Sequence, residues 1–71
     1  MDILILKTNI NQVQDFALVK EKLNQSFNLR ECTIDLGDID KVVRIVGNSL
    51  IPEQVNSQII RMGFRSEELT Y

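Results

Sequence analysis

The sequence predicts an α+β domain whose elements follow one another in the order β-α-β-β-α-β. Three observations lead to this prediction. Apolar residues cluster or alternate in short segments typical of strands, they recur at threes and fours in two segments typical of helices, and the single Pro and the three Gly fall between these segments. A chain of 71 residues has room for one domain, which we place over residues 1–71.

The first part of the chain predicts a strand and a helix. Residues 3–8 are mostly β-branched or apolar, which favours a strand buried on at least one face. Four apolar residues then recur at the spacing of one helix face: Val13, Phe16, Val19 and Leu23. Asn11 is the expected N-cap, Gln14 lies where a capping-box side chain reaches back, and the polar residues 24–26 are expected to end the helix.

A β-hairpin is predicted next. From Leu29 onward apolar and polar residues alternate, which places Cys32 on the buried face of a strand. Residues 37–40 supply a turn, and residues 41–46 form the partner strand, which Gly47 is expected to end.

The last part of the chain predicts a second helix and a short strand. Pro52 suits the first helical position because its missing N–H needs no partner there, and Gly63 is the expected left-handed residue after the helix. Residues 64–69 are predicted as a weak final strand. The complete order matches the ferredoxin-like plan, a four-stranded antiparallel sheet with two helices on one face.

The composition excludes several kinds of chemistry. One cysteine and no histidine allow no internal disulfide, no zinc site built from two Cys or His of one chain, and no Ser-His or Cys-His catalytic pair. Acidic and basic residues are interspersed at a net charge of −2, so no basic patch for nucleic acid is expected. The apolar N-terminus lacks a basic leader and is too short to span a bilayer. We therefore expect a cytoplasmic, non-enzymatic protein without cofactor or membrane insertion.

Two short segments are more specific than the core pattern. Lys7-Thr8-Asn9-Ile10 precedes the first helix, and Gly63-Phe64 follows the second. With the apolar spacing around them, these segments resemble the heavy-metal-associated domain family of copper chaperones and metal-ATPase N-terminal modules. Ile10 stands where the methionine of the family's Met-x-Cys-x-x-Cys site packs. The resemblance implies a ferredoxin-like fold with a metal site in the first loop.

The sequence departs from this family at the metal site. By the spacing of the resemblance, the two cysteines would fall at Gln12 and Asp15, and the only cysteine, Cys32, is expected in the core of another strand. Copper(I) prefers thiolate ligands, while one amide and one carboxylate hold a hard ion only weakly. We therefore predict a degenerate site without bound metal, in which Asp15 instead favours the positive end of the helix dipole.

Other acidic residues are interpreted as parts of a turn. Asp35, Asp38 and Asp40 do not follow the spacing of an EF-hand calcium loop, and their glycine is misplaced for one. A polar hairpin turn is the prediction for this segment.

The sheet face that the helices leave open carries a further candidate site. If Leu4 and Leu6 face the helices, that open face holds Ile3, Ile5, Val42 and Val46, with Arg44 among them. Clustered aliphatic residues with a charged border are typical of contact surfaces. High β-propensity in central strands explains the same residues equally well, and both interpretations stay open at this point.

Two functions follow from these observations. The first is a non-enzymatic module, similar to the heavy-metal-associated domains, that has lost thiolate metal binding and contacts a protein partner or a second copy through the open face. The alternative is a metal-handling protein that uses non-cysteine ligands or ligands from two subunits.

Overall fold

A computed structural model describes residues 1–69 of the chain. Its elements are β1 (Asp2–Thr8), α1 (Val13–Ser26), β2 (Asn28–Asp35), β3 (Val42–Asn48), α2 (Pro52–Arg61) and β4 (Ser66–Glu68). The four strands form one antiparallel sheet in the order β2-β3-β1-β4. The predicted ferredoxin-like fold and its element order are confirmed. The single domain over residues 1–71 stays a prediction, and residues 70–71 lie outside the described part.

The core lies between the sheet and the two helices. The strands contribute side chains at alternating positions, and each helix contributes one pair, so the core contains Leu4, Leu6, Val43, Ile45, Val19, Leu23, Val55 and Ile59. In both central strands these residues alternate with residues of the opposite sheet face. The period of two that predicted the strands therefore also separates a buried face from an open one.

The second helix begins and ends where the sequence predicts. Pro52 occupies the first turn of α2, and Gly63 follows the helix with a φ of 95°. The N–H of Gly63 donates to the carbonyl of Ile60 at 3.0 Å, and the N–H of Phe64 donates to that of Ile59 at 3.4 Å. These two bonds form a Schellman motif, in which the left-handed residue favours glycine.

The first helix begins differently from the prediction. Gln12, not Asn11, is the N-cap of α1, and its side chain makes no capping hydrogen bond. Val13 was expected on the buried helix face, but it is 68% exposed. The expectation for Val13 was wrong because helical spacing identifies a face but not the level at which the helix meets the sheet. The buried residues of α1 are Val19 and Leu23, farther along the helix.

Gly47 was expected to end the third strand, but it lies inside β3 and pairs with both Asp2 and Leu29. A Cβ atom at this position would lie 2.4 Å from the carbonyl oxygen of Asn28, so only glycine fits the close approach of the two strands. The physical reason for this glycine is thus a tertiary contact and not a turn.

The final strand is shorter than the predicted residues 64–69. β4 covers three residues beside the end of β1, and the N–H of Leu69 then donates to the carbonyl of Ile5 at 2.8 Å. Neither helix within residues 1–69 has the length and hydrophobicity that a membrane-spanning segment requires.

Candidate functional site

Three loops meet at one end of the sheet, which we call the loop end: residues 9–12, 36–41 and 62–65. Thr8, at the end of β1, is buried and connects the first two of these loops. Its hydroxyl donates to the carbonyl of Lys41 at 2.7 Å and accepts the N–H of Ile10 at 3.2 Å. Its own N–H donates to the carbonyl of Asp40 at 3.0 Å. Thr8 thus fixes the position of the loop in which the resemblance predicts a metal site.

The third loop is tied to the first by Asn9. The side-chain oxygen of Asn9 accepts the N–H of Arg65 at 2.8 Å. Ile10 is completely buried beside these bonds and belongs to the core cluster. The loop is therefore anchored in the core by an apolar residue at the position where the resemblance places a methionine.

The acidic residues of the second loop hold the turn together. The carboxylate of Asp35 accepts the N–H of Gly37 at 3.0 Å, and that of Asp38 accepts the N–H of Asp40 at 2.8 Å. The ammonium group of Lys41 donates to the carbonyl of Leu36 at 2.8 Å. The two bonds to the aspartate carboxylates are those of Asx turns, so the predicted polar turn is confirmed.

Gln12 and Asp15 lie at the start of α1. The side chain of Gln12 is exposed, and its oxygen accepts a hydrogen bond from the amide of Gln14 at 2.9 Å. The expected capping box, in which Gln14 reaches back to the backbone, is therefore wrong. Asp15 is half-buried in the first turn, where its negative charge favours the helix dipole. Within residues 1–69, no group of three or more acidic or cysteine side chains is placed to hold a metal ion.

Cys32 lies on the core side of β2. It is a free thiol and is only 4% exposed. Burial raises the pKa of Cys32 to about 11, and the positive charge of Lys20 opposes this rise only in part. The thiol therefore stays protonated at neutral pH and behaves as a small apolar side chain.

The strand pairing arranges the open face in three rows. The lower row contains Glu31, Val46 and Ile3, the middle row contains Thr33, Arg44 and Ile5, and the upper row contains Asp35 and Val42. The sheet thus brings together all five residues predicted for this face. Arg30 is an extra residue beside Glu31, where the register of β2 shifts in a bulge.

The aliphatic residues of this face differ in exposure. Ile3 is 56% exposed, and Ile5 and Val42 are half-buried. Val46 is only 6% exposed, although it belongs to the open face and not to the helix-side core. Its cross-strand neighbours Ile3 and Glu31 flank it on both sides. Val46 therefore has little exposed area with which to contact a partner.

Two ion pairs border the aliphatic residues. The guanidinium of Arg44 lies 3.1 Å from the carboxylate of Glu31, and the ammonium of Lys7 lies 3.4 Å from that of Asp40. Both pairs are about half exposed, so each contributes little to stability. The charge of Arg44 remains accessible in the middle of the open face, and that of Glu31 on its outer strand.

The fold is shared with two domains of known structure. The yeast copper transporter domain CCC2A, solved in apo and Cu(I)-loaded states, superposes with a TM-score of 0.81 at 17% identity, over 97% of this chain and 96% of that domain. The N-terminal domain of PacS from Synechocystis PCC6803 gives a TM-score of 0.73 at 11% identity, over 99% of this chain and all of that domain. No protein-family model and no curated protein sequence matches the chain. The chain therefore has the fold of the heavy-metal-associated domains.

Two features of the site were missed at the level of sequence. The pattern placed Thr8 in a plain turn, although it connects two loops, and a lone threonine after an apolar strand carries no signal of a partner 33 residues away. The burial of Val46 was also missed, because alternation assigns a residue to a face but does not say what flanks it there.

Proposed function

We propose that the chain is a non-enzymatic module with the heavy-metal-associated fold that has lost thiolate metal binding and acts through protein contacts on its open face. One observation carries this proposal. The two positions that would bear cysteines hold Gln12 and Asp15, while the surrounding loop is kept in place by Thr8, Asn9 and the buried Ile10. The loop that would hold the metal is thus ordered by its own contacts, but it offers no thiolate ligands.

The loss of copper(I) binding follows from ligand chemistry. Copper(I) is a soft ion that needs thiolate or thioether sulfur, and neither the Gln12 amide nor the Asp15 carboxylate provides it. Cys32 does not replace the missing pair, because its thiol is buried on β2 and its pKa of about 11 keeps it protonated. This ligand chemistry supports a domain that has the heavy-metal-associated fold but does not bind copper(I).

Protein contact is supported by the open face. Ile3 is more than half exposed in a central strand, with Ile5 and Val42 nearby and charged residues around them. Exposed aliphatic residues that adjoin one another mark contact surfaces more often than isolated ones do. Catalysis receives less support, because a groove of about 400 Å³ beside α2 is open to solvent and is lined mainly by polar side chains. A single free cysteine suits the reducing cytoplasm that we propose as its location.

A metal-handling role with non-cysteine or intersubunit ligands is the second candidate. The half-buried carboxylate of Asp15 and the exposed amide of Gln12 on one helical turn favour it, as does the Cu(I)-loaded state of the yeast domain with the same fold. Such a site takes only two ligands from one chain, so any binding should be weak and should depend on protein concentration.

Titration with copper(I), zinc and nickel under reducing conditions tests the proposal. With a competing chelator present, we expect no stoichiometric binding of any of the three ions to the wild-type chain. The Cys32→Ser variant is the control, and it should give the same result. Binding of one copper(I) per chain that survives Cys32→Ser contradicts the loss of the site. Zinc or nickel binding that increases with protein concentration and disappears in Asp15→Asn favours the second candidate.

A further inference from the structure

The outer edge of β2 is the longer of the two strand edges of the sheet. The order β2-β3-β1-β4 places β2 and β4 at the edges, and β2 has eight residues whereas β4 has three. Within residues 1–69, β3 is the only strand that pairs with β2. An edge strand presents backbone N–H and C=O groups to which a further strand can hydrogen-bond. The edge of β2 is therefore a template for an extended chain.

The strand register identifies the backbone groups that point outward from β2. The carbonyl of Ile5 accepts a hydrogen bond at 2.8 Å from the residue after β4, so the backbone groups of Ile5 point toward β4. Arg44 lies opposite Ile5, and its backbone groups point away from β1 and toward Thr33 of β2. Since these directions alternate along a strand, the N–H and C=O groups of Cys32 and Ile34 point away from the sheet.

A groove of about 300 Å³ lies between α1 and this edge. It is lined by Lys20 and Asn24 of α1 and by residues 29–33 of β2. A strand added to the edge would lie along the groove, with every second side chain on the helix side. Only 4% of Cys32 is exposed, so an added strand has to move flexible side chains at the rim, of which Lys20 is one. Binding should therefore be weak.

The groove carries two positive charges without an acidic partner. Lys20 and Arg30 line it, and neither takes part in an ion pair within residues 1–69. Glu31 is the only acidic residue among those that line the groove, and its carboxylate lies 3.1 Å from the guanidinium of Arg44. The charge of Glu31 is thus already compensated. Charge complementarity therefore favours an acidic segment in this groove.

We propose that the edge of β2 binds an extended acidic segment of a partner protein, which adds a fifth strand to the sheet. This site goes beyond the proposed contact on the open face, because it lies at the edge of the sheet beside α1. We expect a dissociation constant on the order of 100 μM for a short peptide.

The two sides of the sheet determine which residues of the segment should be acidic. Residues of the added strand that lie opposite Cys32 are on the helix side, where Lys20 lines the groove. The residues between them lie on the side of Glu31 and Asp35, where a further acidic residue is disfavoured. The site should therefore prefer acidic residues that alternate with uncharged ones.

Titration with a fluorescent peptide of about seven residues, in which glutamate alternates with threonine or valine, tests the charge preference. We expect the wild-type chain to bind it, and to bind a peptide with lysine in place of glutamate at least about tenfold more weakly. Lys20→Glu should weaken binding of the acidic peptide by a similar factor. Lys22→Glu is the matched control, because Lys22 is also exposed on α1 but does not line the groove, and it should bind like wild type. Equal affinities of these two variants overturn the site, as does an undetectable affinity of wild type at about 1 mM.

Two methylated peptides test whether the segment binds as a strand. One carries N-methyl groups on all glutamates, and the other carries them on all residues between. Alternate amides of a strand point to opposite sides, so one peptide should bind at least about tenfold more weakly than the other. Equal affinities contradict an added strand.

Hydrogen exchange locates the added strand on this chain. The amides of Cys32 and Ile34 should exchange about tenfold more slowly at a peptide concentration ten times the dissociation constant. Unchanged exchange at both positions overturns the edge of β2 as the site. Ile3→Lys, on the open face, should bind the peptide like wild type, so a failure here leaves the proposed open-face contact untouched. A wild-type chain that dimerises, with a dimer that Lys20→Glu abolishes, assigns the edge to a second copy and overturns the acidic partner.

Discussion

The loop end and the open face use their polar side chains in opposite ways. At the loop end, the side chains of Thr8, Asn9, Asp38 and Lys41 are all hydrogen-bonded to backbone atoms of the same chain. On the open face, the Arg44–Glu31 pair joins two side chains that remain about half exposed. The polar side chains of the loop end thus stabilise its own loops. The charged and aliphatic side chains of the open face remain accessible to other molecules. The difference supports our proposal that the open face, and not the loop end, makes contacts with other molecules.

The largest expected effect is on the sheet that forms the open face. Gly47→Ala places a methyl group against the carbonyl oxygen of Asn28 and should destabilise the chain by about 3 kcal/mol, with a fall in Tm of more than about 10 °C. Gly37→Ala is the control, because its added methyl group would meet only an ordinary contact at 3.4 Å. Thermal unfolding followed by circular dichroism measures both. Similar Tm values for the two variants would show that β2 does not approach β3 so closely.

The thiol of Cys32, which lies in the core and belongs to neither region, should react slowly with alkylating reagents. Because its pKa is about 11, the thiolate fraction at pH 8 is at least about a hundredfold smaller than for an ordinary cysteine. Alkylation with iodoacetamide at pH 8 should therefore be slower by at least that factor in the native chain than in denaturant. Equal rates in the two conditions contradict a buried Cys32.

Thr8→Val tests whether the loop end depends on its side-chain hydrogen bonds. The substitution keeps the shape of the side chain but leaves the N–H of Ile10 and the carbonyl of Lys41 without the hydroxyl, at a cost of about 2 kcal/mol. Thr33→Val on the open face is the matched control and should change stability by less than about 0.5 kcal/mol. Urea unfolding compares the two variants, and equal losses of stability would remove the contrast between the regions.

The smallest expected effect concerns the ion pair of the open face. Arg44→Gln breaks the pair with Glu31, but because both side chains are about half exposed the monomer should lose less than about 0.5 kcal/mol. Lys7→Gln, which breaks the other ion pair, should behave alike. Urea unfolding at low micromolar concentration, where the chain should be monomeric, gives this value. A loss above about 1 kcal/mol in Arg44→Gln would make the pair part of the fold and not of the contact surface.

Local signals predicted the fold, and tertiary contacts account for what they missed. Pro52 and Gly63 each act through their own backbone geometry, so both ends of α2 could be predicted. Gly47 acts through the strand beside it, and the exposure of Val13 depends on where the helix meets the sheet. Neither the role of Gly47 nor the exposure of Val13 can be predicted from the residues adjacent to it in the sequence.

The candidate site was predictable in part for the same reason. The spacing of the core placed Gln12 and Asp15 at the start of the first helix, where they lie in the structure, while their assignment to a degenerate metal site stays a prediction. The role of Thr8 and the burial of Val46 depend on partners far away in the chain. Alternation assigned Arg44 and the aliphatic residues to one face, but only the register of the strands shows which of them adjoin.

The central claim is that the scaffold of a metal site persists without its ligands, and restoring the ligands tests it most directly. We would titrate the triple variant Gln12→Cys, Asp15→Cys, Cys32→Ser with copper(I) against a competing chelator, beside the Cys32→Ser parent. Because Thr8, Asn9 and Ile10 hold the loop in place, we expect the variant to bind one copper(I) per chain and the parent to bind none. A folded variant that binds no copper(I), or a parent that binds it equally well, would contradict the account.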